Sequence, residues 1–215
     1  MVKSYRIPII ALTTLLLLAF SPLVALSAET MHSPQLTFYA GQGIDSNLVD
    51  IFPKVLRGDL KSDDTYLYAL GYFHPLNTPS QLQSVFDFLA IPNTYSGIEA
   101  VVGKHEGLQY NWEVDANWQL RFAPLHFGSL EVRPGIGLGG SYALGRPGYE
   151  DGSKNDPEKR YRFQNFNIYE LEWSLPDISS FSLVSRIHHR SGMYGLIAPS
   201  HVGSNFVAVG LRYSY

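Results

Sequence analysis

Between residues 108 and 122 the chain alternates without a slip. Leu108, Tyr110, Trp112, Val114, Ala116, Trp118, Leu120 and Phe122 share one parity, and Gln109, Asn111, Glu113, Asp115, Asn117, Gln119 and Arg121 share the other. No polar residue interrupts the apolar set. A strict period of two marks a strand whose two faces meet different media. The pattern recurs in Leu130, Val132, Pro134, Ile136 and Leu138 against Glu131, Arg133, Gly135, Gly137 and Gly139. It returns in Tyr169, Leu171, Trp173 and Leu175 against Glu170, Glu172 and Ser174, and again in Val207, Val209, Leu211, Tyr213 and Tyr215 against Phe206, Ala208, Gly210, Arg212 and Ser214. Eight candidate strands follow: 36–43, 65–74, 95–105, 108–122, 129–142, 161–175, 181–191 and 205–215. At 165–167 the phase is lost, which predicts a bulge there. Plentiful Tyr, Phe and Gly (14, 12 and 19 of 215 residues) agree with an all-β chain.

Alternation does not say which face is outside. A soluble barrel would turn the apolar face inward around a ligand. Three features favour the opposite choice. Both signs of charge share the polar face (Glu113, Asp115, Arg121, Glu131, Arg133, Glu170, Glu172, Arg186, Arg212), as a self-paired filling of a narrow lumen requires. The glycines lie on that same face, where eight strands leave little room. Tyr and Trp cluster towards strand ends on the apolar face, as in interfacial girdles. The expected fold is therefore all-β: an eight-stranded, antiparallel, up-and-down transmembrane β-barrel with a filled lumen, ending on the aromatic Tyr215.

The N-terminus carries an address. Lys3 and Arg6 precede an apolar run from Ile7 to Phe20, then Pro22 and the small residues around Ser27 and Ala28. This predicts a signal peptide over 1–28 and one barrel domain over 29–215, in an outer membrane after processing. Residues 1–28 hold two basic and no acidic residues, so 14 basic face 19 acidic residues in the remainder, a net charge of −5. Such a chain has no electrostatic footprint for nucleic acid. There is no cysteine, hence no disulfide and no thiolate site. With both termini in the periplasm, the external loops are about 44–64, 106–107, 143–160 and 192–204. The long internal turn 75–94 has room for a short amphipathic helix over 80–89.

That topology places His189 and Ser191 at the outer end of the penultimate strand, on the lipid-facing parity, with Asn205 beginning the last strand beside them. An imidazole and a hydroxyl in reach of each other begin an acyl-transfer site, in which the base takes the proton and the serine attacks an ester carbonyl. At His189-Arg190-Ser191 the chain resembles the lipid A 3-O-deacylase family, the PagL-like outer-membrane barrels. The specific match covers 185–215, and the organisation covers the remainder. The resemblance implies that Ser191 is the nucleophile and His189 the general base of an esterase on lipid A, with lipid A or lipopolysaccharide and membrane lipid as partners, a second copy as a candidate partner, and no cofactor. Two departures stand out. The family's acid at the start of the last strand is replaced by Gly203, Ser204 and Asn205, of which Asn205 can hold the imidazole by a hydrogen bond but cannot stabilise the imidazolium by charge. The family's Asn after the serine is replaced by Gly192, which can present its backbone N–H to the oxyanion, with Gly195 or Gly203 able to bend the loop to do likewise. Bland roles weigh against these. His189 and Ser191 suit a headgroup layer as ordinary polar residues, and the chain then reads as a non-catalytic barrel that binds lipopolysaccharide or serves adhesion. His188 faces the lumen as a hydrogen-bond partner. His74, His105 and His126 read as surface or interfacial, and Arg190 as a solvated charge. A metal site from His188, His189 and His201 would need ligands from both faces of one strand.

Overall fold

The computed structural model describes residues 33–215 except 90, 92, 93 and 179; the expected signal peptide and its cleavage site lie outside the described residues. Nine strands form: β1 (Gln35–Ile44), β2 (Ser62–Leu76), β3 (Tyr95–Gly107), β4 (Trp112–Arg121), β5 (Leu125–Phe127), β6 (Leu130–Leu144), β7 (Phe163–Ser174), β8 (Phe181–Ser191) and β9 (Gly203–Ser214). Eight are long. They pair antiparallel in order, β9 returns to β1, and β4 pairs with β6 to close the barrel. The short β5 takes up the pairing with β6 beyond the end of β4. Two helices sit in connections: α1 (Leu48–Arg57) between β1 and β2, and α2 (Ser80–Phe88) between β2 and β3. Among the described residues no helix is long and apolar enough to cross a membrane.

Parity decides the two faces as the alternation requires. Trp112, Trp118, Ile136, Leu138, Tyr169, Leu171, Leu211 and Tyr213 are exposed on the outside, a continuous apolar wall suited to hydrocarbon. A polar pair on this wall satisfies itself, because Trp173 Nε1 donates to Ser185 Oγ at 3.0 Å. Inside, Arg186 bridges Glu99 (2.9 Å) and Glu170 (2.6 Å), and Arg212 bridges Glu170 (3.0 Å) and Glu172 (2.7 Å). Arg121 adds bonds to Gln119 and Gln35. Each guanidinium meets two or more acceptors, which is the condition for keeping a charge buried. The lumen is full to the backbone. A Cβ on Gly137 would stand 2.5 Å from Asn117 Oδ1, and one on Gly97 would stand 2.2 Å from the Phe73 ring.

Several expectations are corrected. No bulge occurs at 165–167, since β7 keeps unbroken register with both β6 and β8. Phe166 and Ile168 are lumen residues, buried in the aromatic-aliphatic core beside Tyr39 and Phe206. Asn165 and Asn167 therefore take the outward parity, so polarity inverts at this end of the wall. Residues 108–111 belong to the turn after β3 and not to a strand. His105 is a lumen residue with no exposure, bonded to Glu113 at 3.1 Å. Arg190 is no solvated charge; it is buried between Glu113 (2.9 Å) and Glu150 (2.5 Å). The loop 145–162 is not wholly solvated either. Glu150 folds in from it over the lumen, bonded also by Ser204 and Gln164, and burial pushes its carboxyl above the usual range against the pull of Arg190.

Candidate active site on the outer wall

The site begins with strand register. His189 pairs with Asn205 on one side and Asn167 on the other; one step further, Ser191 pairs with Gly203 and Asn165. Side chains two apart on a strand share a face, so these two rows put a polar group on the outward parity of β7, β8 and β9, where Asn165 is buried and the others are half-buried. All three expected residues, His189, Ser191 and Asn205, lie in it. Asn165 and Asn167 were not anticipated. Their signal was the very lapse of phase at 165–167, which marks where the wall stops being greasy.

A directed chain of hydrogen bonds fixes the imidazole. Asn205 Nδ2 donates to the backbone carbonyl of Ser46 at 2.8 Å. A carbonyl can only accept, so this bond sets the orientation of the amide. Asn205 Oδ1 is thereby turned to His189 Nδ1, 2.6 Å away, and accepts its proton. Nε2 keeps a lone pair. The ring is held as the tautomer that a general base needs.

The same chain explains the absence of a carboxylate. Position 205 has two neighbours with opposite demands: an N–H that needs an acceptor and a carbonyl that needs a donor. An amide offers both, and a carboxylate offers only acceptors. An aspartate would face the Ser46 oxygen with a second negative oxygen.

A cleft of about 560 Å³ opens beside this group, lined by His189, Ser191, Asn205, Ser46, Lys54 and His201 among others. Lys54 Nζ donates to Ser46 Oγ at 2.8 Å, so the same residue that anchors the amide also holds a cation at the cleft. On the far side, Tyr149 donates its hydroxyl to Asp63 at 2.6 Å; burial, with that bond, pushes the phenol up. His201 is bonded to the carbonyl of Gly152 and lines the cleft.

Other expected roles find less support. Ser191 makes no hydrogen bond to the imidazole among the described residues, so the serine is near the base without being engaged by it. The Gly192 amide is committed to the carbonyl of Val202 at 3.0 Å, which removes it as an oxyanion donor in this conformation. Gly203 sits at φ +150°, where an added Cβ would come within 2.2 Å of the Arg190 carbonyl. His188 faces inward as expected, with Nε2 on Glu113 (2.7 Å) and Nδ1 on the Tyr39 hydroxyl (3.1 Å). It and His189 therefore point to opposite sides of the wall, and a three-histidine metal site cannot assemble. Glu113 and Asp115 crowd His188 in the lumen, but Glu113 is already shared by Arg190, His105 and His188.

No protein-family profile matches the chain, and no curated protein matches it. Among solved structures it is similar to the outer membrane enzyme PagL, with 11% identity and a TM-score of 0.53 over 84% of this chain and 99% of that one. It also aligns with Neisserial surface protein A (NspA), at 7% identity and a TM-score of 0.47, over 85% of this chain and 97% of that one. At such identities the likeness to PagL is one of fold: the closed eight-stranded barrel of outer-membrane proteins.

Proposed function

We propose that this protein is an outer-membrane esterase that removes an ester-linked acyl chain from lipid A, with the chain exported by its N-terminal signal. Ser191 is the nucleophile, His189 the general base and Asn205 the residue that positions the base. The observation that carries the reading is the bond sequence Ser46 carbonyl, Asn205 amide, His189 Nδ1, which leaves Nε2 bare on a wall that otherwise faces hydrocarbon. A polar residue at that height needs only to reach headgroups; here the imidazole is held in one tautomer with its second nitrogen left able to take a proton. Substrate arrives by lateral diffusion and brings its ester to the cleft. Nε2 takes the Ser191 proton as Oγ attacks the carbonyl, and returns it to the leaving sugar hydroxyl; water then releases the fatty acid by the reverse sequence.

The second reading is a barrel that binds lipopolysaccharide without cutting it, favoured by the unengaged Ser191 hydroxyl and the committed Gly192 amide. Mass spectrometry of lipid A from Gram-negative cells expressing wild type or Ser191→Ala separates the two. Loss of one acyl chain with wild type alone supports the esterase. Identical lipid A in both strains removes it and leaves the binding barrel.

A further inference from the structure

Two connections beside the cleft expose apolar surface that water does not favour. On α1, Val49 is 80% exposed, Phe52 69% and Leu56 72%; spaced by three and four, they form one stripe, while Ile51 alone is buried. In the β8–β9 loop, the 3-10 turn Met193–Gly195 and its continuation expose Tyr194 (98%) and Leu196 (81%). Met193 and Tyr194 hold this tip with φ of 51° and 54°, a left-handed conformation that non-glycine residues disfavour. Leu48 and Lys54 of α1 line the cleft directly, and the tip belongs to the same β8–β9 loop as Ser200 to Ser204, which also line it.

Where α1 lies is settled by its anchor. Asn205 takes the outward parity of β9, with Leu211 and Tyr213, and its Nδ2 holds the Ser46 carbonyl just before the helix. Lys54, within the helix, bonds back to Ser46 Oγ. The helix is therefore tied to the outer wall and not folded over the lumen, and its stripe continues the apolar band upward. In its last turn Arg57 pairs with Asp59 at 3.3 Å, an exposed ion pair for whose cation anionic headgroups can compete.

We propose that α1 and the 193–197 tip are embedded in the outer leaflet and hold the polar cleft beside His189 and Ser191 at headgroup depth. The occupant of the exposed stripe is the bilayer. The inference rests on the membrane reading of the barrel and not on ester hydrolysis, so it stands even if Ser191 proves inert.

The chain has no cysteine, so single-cysteine variants report cleanly. Phe52→Cys and Leu196→Cys, with Leu138→Cys on the wall and Asp59→Cys beyond the helix as references, are labelled with a polarity-sensitive fluorophore and reconstituted into vesicles containing brominated phospholipid. The labels at 52 and 196 are expected to emit to the blue of the label at 59 and to be quenched at least about 3-fold more strongly, more by shallow than by deep bromines. Labels at 52 and 196 that match 59 overturn the proposal. Blue-shifted but unquenched labels also overturn it, since a second protein copy would then be the cover. An unquenched label at 138 overturns the membrane reading itself. Val49→Cys and Tyr194→Cys, both on exposed positions, repeat the measurement should either first variant fail to fold.

Discussion

His188 and His189 are neighbours in sequence and opposites in circumstance. His188 stands in the lumen with both ring nitrogens engaged, Nε2 by Glu113 and Nδ1 by Tyr39, and packs 4.5 Å from the Phe166 ring by centroids. His189 stands on the wall with one nitrogen engaged by an amide and the other facing no protein partner among the described residues. A carboxylate can only accept, so His188 carries a proton on Nε2; an amide oxygen can only accept, so His189 carries one on Nδ1. One step along a strand thus exchanges a structural histidine for a potential base. Side-chain chemistry is the same; the partner offered on each face differs.

The comparison breaks first on the lumen side. Arg186→Met leaves Glu99 and Glu170 buried with fewer partners, and is expected to cost about 3–5 kcal/mol, read as a lower urea midpoint in detergent or loss of heat-modifiable gel mobility. Unchanged stability would mean that the lumen is not the closed ion network described. On the wall, Leu138→Arg places a charge where hydrocarbon is expected and should cost about 2–4 kcal/mol near mid-bilayer, measured by unfolding from lipid vesicles. A neutral outcome would contradict a lipid-facing wall.

Much of this division was legible in the sequence. The alternation at 108–122 identified β4 and its faces, although residues 108–111 carried the pattern into a turn. The outward parity of His189, Ser191 and Asn205 followed from counting twos. What failed has a physical cause. "Apolar means outward" holds only at hydrocarbon depth; at the rim of β7 the apolar Phe166 and Ile168 fill the lumen and the asparagines face out, which read as a bulge. Arg190 and His105 were misplaced because their partners Glu113 and Glu150 lie in other segments, and spacing cannot show a pair that only the closed barrel brings together. Helix α1 is hard to read from the sequence, since Pro53 sits inside it and proline normally argues against a helix interior. The stripe Val49, Phe52, Leu56 and the stop at Gly58, left-handed at φ 72°, were the available signals.

Smaller effects sharpen the account of the wall. Asn205→Asp, which looks like restoration of a carboxylate to the site, is expected to destabilise by about 1–3 kcal/mol by setting an oxygen against the Ser46 carbonyl, and to lower any esterase turnover. Greater activity in that variant would contradict the role given to the amide. Ser185→Ala removes the acceptor of the Trp173 N–H on the lipid-facing side and should cost about 0.5–1.5 kcal/mol, read by the same unfolding measurement; a larger loss would place that pair deeper in the fold's stability than its single bond suggests.

The most direct test concerns the two rings themselves. The protein, with its seven histidines labelled with 15N and positions 188 and 189 assigned by His188→Gln and His189→Gln, is observed in detergent micelles by 15N NMR above the pH at which imidazolium is populated. The geometry predicts opposite tautomers, Nε2–H at 188 and Nδ1–H at 189, with the second mixed or reversed in Asn205→Ala. An Nε2–H tautomer at 189 in the wild type would contradict the account, because the wall would then carry a proton where its base must have none.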